Sequence, residues 1–349
     1  MRILVTGHNG YIGSVMVPML QAEGHQVVGL DTFLFGDCTL GEDVGPIRAL
    51  QKDIRDVHPD DLHGLDAVIH LAALGDESPS HLDPEIIDEI NHRAAIHLAR
   101  SAREAGVSRF LFASTCAVYG GARDEVLTED SPLRPDTPEA IAKARAEEGI
   151  ARLADARFSP VFMRTATGYG VSPRMRVDTL LNNLVCWAHL TGRVRIAGDG
   201  ARWRPVVHVQ DVAHAFAATL MAPRDALHGQ AFNVGAAGEN YQIAEFADIV
   251  CGAVPGCAVE YGPGDHSAPS SYRVDFGKLA RRCPDFKPQW NASFGAKDLY
   301  ATLQETRLTF EEFRSRKYVR VDQLRYLRTA GVVDPRFRTA NVAVPRERV

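Results

Sequence analysis

Long apolar runs are missing from this chain. No stretch of its 349 residues approaches the ~20 consecutive apolar residues of a membrane helix, which excludes a helical span. A basic excess is missing too: Lys and Arg number 39 against 44 Asp and Glu, a net charge of −5. Nucleic acid and anionic membranes are therefore poor partners. Cysteines are few and scattered. Cys38, Cys116, Cys186, Cys251, Cys257 and Cys283 form no CxxC pair, so free thiols are expected, with no disulfide framework and no metal site. Internal repeats and low-complexity linkers are absent. The first core segment begins at Ile3 behind a single Arg, so no cleavable leader is expected and the cytoplasm is the expected location. One last absence matters below: no tyrosine lies between Tyr119 and Tyr169.

What is present begins at the N-terminus. Residues 1–13, MRILVTGHNGYIG, set the run Ile3-Leu4-Val5 before glycines at 7, 10 and 13. A run without alternation suits a parallel strand covered on both faces. The glycines suit a strand turning tightly into a helix. Gly7 takes backbone angles closed to other residues, Gly10 admits a diphosphate, and Gly13 lets helix pack on strand. The helix expected over 14–23 offers free N–H groups and a positive dipole end to phosphates. A second strand, 26–30, leads into Asp31, whose carboxylate accepts ribose hydroxyls and repels a 2′-phosphate. NAD is favoured over NADP.

Further strands are expected over 47–53, 66–70, 109–114 and 160–164, with helices over 83–105 and 139–153. Asp53 and Ile54 fall at a strand's carboxyl edge. Leu71, Ala72 and Ala73 follow another strand with side chains a cofactor can pass over. This alternation predicts an α/β fold, a Rossmann-type doubly wound parallel sheet with a smaller C-terminal substrate lobe. The expected divisions are 1–170 for the NAD-binding domain (with a core strand also near 206–235), 171–309 for the lobe, and 310–349 for a basic helical extension. That extension carries Arg314, Arg316, Lys317, Arg320, Arg325, Arg328, Arg336 and Arg338. It is expected to be solvated; the alternative is a phosphate-gripping or dimer-forming arm.

By this point the motifs have accumulated. They are Gly7-His8-Asn9-Gly10-Tyr11-Ile12-Gly13, Asp53-Ile54, His70-Leu71-Ala72-Ala73, Asn91, Ser114-Thr115 with Val118-Tyr119-Gly120, and Arg164. Tyr169-Gly170, Gly198-Asp199-Gly200, Arg204, His208-Val209, Asp211-Val212 and Asn233-Val234-Gly235 continue the series. The chain resembles the extended short-chain dehydrogenase/reductases of the nucleotide-sugar epimerase/dehydratase family. The resemblance implies a tightly held NAD, contacted by Gly7, Asn9, Gly10, Tyr11, Ile12, Gly13, Asp31, Asp53, Ile54, Leu71, Ala72, Ala73 and Lys143. It further implies a nucleoside-diphosphate sugar substrate and a homodimer formed through helices such as 83–105 and 139–153.

In that family a Ser or Thr, a Tyr and a Lys hold the sugar hydroxyl, the last two sharing one helix face four residues apart. Thr115 and Lys143 match. Glu139 stands where the tyrosine belongs, and the frame is supported by Thr128-Glu129, Pro132, Pro135 and Thr137-Pro138. Three readings follow. Glu139 is the acid/base, a carboxylate ionised beside Lys143 at neutral pH. Or another group serves, with Cys116, Tyr119 and Tyr169 nearest. Or redox chemistry is lost and NAD is a structural relic. A carboxylate is a weaker base than a phenolate by about 6 pKa units, which suits it less to a hydroxyl proton. Abstracting a carbon-bound proton beside a ketone suits it well.

Cys116 stands where family dehydratases place an acid, and near where a 3,5-epimerase relative places a catalytic cysteine. Cys116-Ala117 replaces the family's acid pair, which speaks against an ordinary 4,6-dehydratase. On the substrate side, Arg204 matches a family arginine whose fork suits a diphosphate. Arg273 stands in for a second arginine whose place Gly262 occupies, and Thr167 replaces a family asparagine. Asn183, with Asn182, begins a helix within reach of the nucleotide. Asp76 and Glu77 either orient sugar hydroxyls or are solvated. The expected activity is epimerisation through a transient keto-sugar with a Thr115, Glu139 and Lys143 set. A dehydratase or decarboxylase and a catalytically silent NAD-binding scaffold are the alternatives.

Overall fold

Apolar segments at both ends of the first hundred residues pair side by side to begin a seven-stranded parallel sheet. The computed structural model describes residues 1–41, 45, 47–75, 82–121, 125–263 and 271–339. Its strands are β1 (Arg2–Thr6), β2 (Gln26–Asp31), β3 (Ala49–Gln51), β4 (Ala67–His70), β5 (Arg109–Thr115), β6 (Val126–Leu127) and β7 (Ser159–Thr165). There follow β8 (Thr167–Tyr169), β9 (Arg193–Ala197), β10 (Trp203–His208), β11 (Ala231–Val234), β12 (Asn240–Gln242), β13 (Ala258–Gly262) and β14 (Arg273–Val274). The main sheet has the order β11-β7-β5-β4-β1-β2-β3. From β1 the chain runs outward through β2 and β3. It then crosses to β4 on the other side of β1 and runs outward again. The connections therefore diverge at β1 and β4, leaving a crevice at their carboxyl ends, where ligands bind in such sheets.

The helices are α1 (Gly13–Ala22), α2 (Pro84–Asp88), α3 (Ala94–Glu104), α4 (Pro138–Ala151), α5 (Leu180–Thr191) and α6 (Val209–Met221). After these come α7 (Arg224–Leu227), α8 (Ile243–Ala253), α9 (Gly277–Arg282), α10 (Ala292–Glu305), α11 (Phe310–Phe313) and α12 (Arg320–Thr329). Met16, Val17 and Leu20 of α1 join Phe216 and Leu220 of α6 on one sheet face. Leu98 and Ala99 of α3 join Ala146 and Ile150 of α4 on the other. A third cluster, with Leu181, Val185, Phe246 and Leu299, binds α5, α8 and α10 beside the sheet.

Three expectations change. The segment 83–105 is not one regular helix: a wide five-residue turn, Glu89–Arg93, separates α2 from α3. The strand expected over 47–53 shrinks to β3, because Asp53 caps a tight turn by accepting from Arg55 N–H at 2.9 Å. Over its described residues, 310–339, the basic tail is not a solvated extension. Leu324, Leu327, Val333 and Phe337 are buried in the same cluster as Leu34, Ile54 and Ile90, so its arginine-rich composition conceals an apolar face.

Candidate active site

The glycine loop forms the floor. Gly7 has φ +70°, and a Cβ there would lie 2.8 Å from the Ala72 nitrogen. At Gly13 a Cβ would lie 2.3 Å from the Gly7 oxygen, so this glycine is needed by the loop's own backbone rather than by helix–strand packing. No side chain caps α1 and no acid stands in its first turn, which leaves its N-terminus open to anions. Asp31 is held in place by Asn9 N–H at 3.1 Å and Phe33 N–H at 2.8 Å. Asn9 meanwhile accepts from Arg174 Nε at 2.9 Å, and only its backbone faces Asp31.

A cleft of about 410 Å³ opens above this loop. Of the residues expected to hold NAD, Gly7, Gly10, Tyr11, Ile12, Gly13, Asp31, Asp53, Ile54, Leu71, Ala72, Ala73 and Lys143 line it. The Leu71–Leu74 wall is pinned from the wide turn. Asn91 donates Nδ2 to the Leu74 carbonyl at 2.8 Å and accepts from Leu74 N–H at 2.9 Å. Wide turns inside helices frequently mark functional sites; this one aims an asparagine at the cleft wall. The residues present fit a dinucleotide: an open helix N-terminus, a glycine cradle without room for a Cβ, and an oriented carboxylate at a strand end.

Beyond the loop, β5 and α4 bring Thr115, Glu139 and Lys143 to the same cleft. Thr137 caps α4, its hydroxyl accepting from Ala140 N–H at 3.2 Å, with Pro138 in the first turn. That start places Glu139 in the first turn and Lys143 one turn later. Thr115 accepts from Ala117 N–H at 3.1 Å. Lys143 is 5% exposed, donates Nζ to the Ala113 carbonyl at 2.6 Å, and lies 4.8 Å over the Phe112 ring. Burial pushes its ammonium down to about 8, while Glu139 and Glu147 pull the other way. Beneath this set, Arg164 is clamped between Glu147, at 2.6 Å, and the Tyr119 hydroxyl, at 3.0 Å. Ser114 donates to Glu147 at 2.5 Å.

The alternative groups sit elsewhere. Cys116 is fully buried, its thiol directed at the Arg164 carbonyl 3.1 Å away and its pKa pushed up by burial. It follows Thr115 by one residue, and neighbours leaving a strand point to opposite sides. Tyr119 donates its hydroxyl to Asn233 Oδ1 at 2.6 Å. Tyr169 is buried against His208. Among the described residues lining the cleft, none of these three appears.

Arg204 and Thr167 line the cleft; Asn183 and Arg273 do not. Asn183 donates Nδ2 to the Val177 carbonyl at 2.8 Å, tying down the turn before α5. Asn182 similarly donates to the Arg176 carbonyl and the Tyr11 hydroxyl. Arg273 lies 5.1 Å over the Trp203 ring, and its neighbour Tyr272 faces the cleft instead. Asp76 and Glu77 lie outside the described residues. Sequence reasoning missed Arg176, Tyr272, Arg320 and Phe337 as lining residues. Arg176 is held in bidentate fashion by Asp178 at 2.9 and 2.8 Å. A Cβ on Gly75 would stand 3.6 Å from Arg176 Nη1 and 3.8 Å from both Glu139 carboxylate oxygens, so the two side chains flank one spot. Nothing local to the sequence marks Arg176. Arg320 belonged to a visible basic run, but its placement required the fold.

A doubly wound sheet with a glycine-loop cleft at its switch point is the architecture of dinucleotide-binding enzymes. The model of the NAD dependent epimerase/dehydratase family matches residues 3–235. The UDP-glucose 4-epimerase of Mycolicibacterium smegmatis is 33% identical over 268 residues, spanning 73% of this chain and 83% of that protein. The structure of MoeE5 in complex with UDP-glucose and NAD superposes with a TM-score of 0.75 at 29% identity, covering 88% of this chain and 100% of MoeE5. DesIV, a dTDP-glucose 4,6-dehydratase from Streptomyces venezuelae with NAD and TYD bound, gives 0.75 at 28% identity, over 88% and 98% of the two chains. This chain belongs to the NAD dependent epimerase/dehydratase family.

Proposed function

We propose that this chain is an NAD-dependent epimerase of a nucleoside-diphosphate sugar, working through a transient keto-sugar, with Glu139 in the place of the family tyrosine. The observation that carries it is the convergence of Thr115, Glu139 and Lys143 on the cleft that also holds the glycine loop and Arg204. NAD, when bound, supplies a hydride acceptor and donor. The residues do the rest. Thr115 orients the sugar hydroxyl through its own hydroxyl. Glu139 takes that hydroxyl's proton as the carbon is oxidised and returns it after the keto face is exchanged. Lys143 holds the nicotinamide ribose and keeps a positive charge beside Glu139. Arg204 grips the diphosphate. A dehydratase or decarboxylase has less support, because Cys116 is turned inward and Ala117 carries no acid.

The cytoplasm is the proposed location, supported by six cysteines that are all free. No helix among the described residues is long and apolar enough to cross a membrane. A homodimer through the outer faces of α3 and α4 is proposed with them. Exposed Arg93, Arg145 and Arg152 border those faces, paired with Asp88 and Glu148 of the same chain; sedimentation at several protein concentrations measures the association.

The decisive experiment mixes NAD-loaded protein with UDP-, dTDP-, GDP- and CDP-sugars in single turnovers, following NADH absorbance and identifying products by mass and NMR. An isomeric product with transient NADH is the expected result. Loss of water or carbon dioxide would select the dehydratase or decarboxylase instead. Unchanged sugars throughout would leave an NAD-binding scaffold.

A further inference from the structure

The C-terminal segment beyond residue 309 lies outside the 3–235 matched by the family model, yet it reaches the cofactor cleft. Its described residues are tied down at several points. Gln323, 1% exposed, donates Nε2 to the Leu34 carbonyl at 3.1 Å, just past Asp31. Arg55 Nη1 donates to the Arg336 carbonyl at 3.0 Å, joining the Asp53-Ile54 turn to the tail. Arg336 pairs with Glu89 at 2.8 Å and Arg338 with Asp56 at 2.7 Å. Such exposed pairs contribute little singly; the buried apolar residues beneath them carry the docking.

Two tail residues face the cleft. Arg320 is 5% exposed and its Nη2 donates to the Arg174 carbonyl at 2.8 Å; the Cys38 thiol stands against its guanidinium, and its buried Nη1 has no hydrogen-bond acceptor. Its guanidinium is fixed 4.6 Å over the Phe35 ring, in the loop after β2. Arg174, whose carbonyl Arg320 holds, reaches Asn9 of the glycine loop with its own side chain, so one residue links Arg320 to that loop. A buried guanidinium N–H without an acceptor is costly, and an anionic oxygen is the acceptor it suits best. Phe337 is 4% exposed; its φ of +57° closes the turn in which its N–H donates to the Asp334 carbonyl at 3.0 Å and Asp334 N–H donates to the Arg338 carbonyl at 2.9 Å. It shares a cluster with Ile54, in the wall at the adenosine end.

We propose that the C-terminal arm is a cofactor strap: Arg320 donates Nη1 to the NAD diphosphate, and Phe337 closes the adenine end of the cleft. The proposal rests on this cleft being the NAD site. The strap makes NAD a resident group, released slowly because the arm must come away first. Composition alone could not show this, since the contact depends on α12 docking beside β2.

The test uses the full chain, with NAD release followed by displacement and ADP affinity measured by calorimetry on protein stripped of cofactor. Arg320→Gln should speed NAD release about tenfold or more, and weaken ADP by a similar factor while leaving adenosine affinity within about twofold. Phe337→Ala should weaken ADP and adenosine together. Arg320→Lys, which keeps charge but loses the fork, should fall between wild type and Arg320→Gln, and thermal melts of the stripped proteins show whether each variant is folded. Folded Arg320→Gln and Phe337→Ala proteins that release NAD at the wild-type rate would overturn the strap. A wild-type protein that binds no NAD would overturn the cofactor site itself, a different result from strap failure.

Discussion

Glu139 and Lys143 stand one helical turn apart on α4, both facing the cleft, with the Lys143 ammonium fixed 2.6 Å from the Ala113 carbonyl. Under the proposed function this pair takes the place of a phenol and a lysine, and a carboxylate in the phenol's place is a proton acceptor of different basicity. Lys143 is anchored by the Ala113 carbonyl of β5, and the Glu139 charge acts on it as well.

Glu139→Gln keeps the side chain's shape and removes the base. Turnover should fall by ~10²–10⁴, the range of a positioned acid/base, while NAD binding stays within about twofold. Single-turnover rates and cofactor titration check both halves. Full activity in this variant would move the chemistry to another group.

Lys143 sets an alkaline limit. Its charge is complete below about pH 8, where burial holds its pKa, and is lost above. The pH profile of kcat/KM should therefore fall on the alkaline side with an apparent pKa near 8. For stability the sign is opposite. Between about 8 and the ordinary 10.5 the unfolded chain binds more protons than the folded one. This residue's contribution to stability therefore rises with pH across that window. An activity limb near the ordinary lysine value would contradict the burial seen here.

Arg204→Ala should raise KM for the nucleotide sugar about tenfold or more with kcat changed less than about threefold, since a diphosphate grip acts alike in ground and transition states. Initial-rate kinetics separate the two parameters. A fall confined to kcat would place Arg204 in the chemistry instead.

Glu147 and Arg164 form an ion pair with each side chain 7% exposed. Glu147→Ala leaves the arginine charge buried and uncompensated, and should lower stability by about 3–5 kcal/mol. Denaturant unfolding of the stripped protein measures it. The double variant Glu147→Ala with Arg164→Met should recover part of the loss, because the uncompensated charge is then gone.

Much of the site was legible because its signals are local. Gly7, Gly10, Gly13 and Asp31 sit within one strand–helix–strand unit, and the backbone that needs them is built from the same thirty residues. Asp53-Ile54 and the Leu71–Ala73 segment could be placed because each follows an apolar strand. Glu139 and Lys143 share a face by helical spacing alone. What escaped were side chains whose direction depends on distant partners. Asn183 is spent on the Val177 carbonyl, and Cys116 faces the Arg164 carbonyl from the neighbouring strand. Arg273, which opens β14, lies over Trp203, while Tyr272 just before that strand faces the cleft.

The doubly wound sheet, the glycine loop after its first strand and the lack of a tyrosine between Tyr119 and Tyr169 could be read from the chain alone, because periodicity and glycine geometry act over a few residues. Tertiary structure alone decided that the arginine-rich tail is an inward-facing arm. The tail's composition satisfies a solvated helix equally well. Only the meeting of Leu324, Leu327 and Phe337 with Leu34 and Ile54, hundreds of positions earlier, brings Arg320 to the cleft. Burial of apolar surface between remote segments is a property of the assembled fold, and no local pattern contains it.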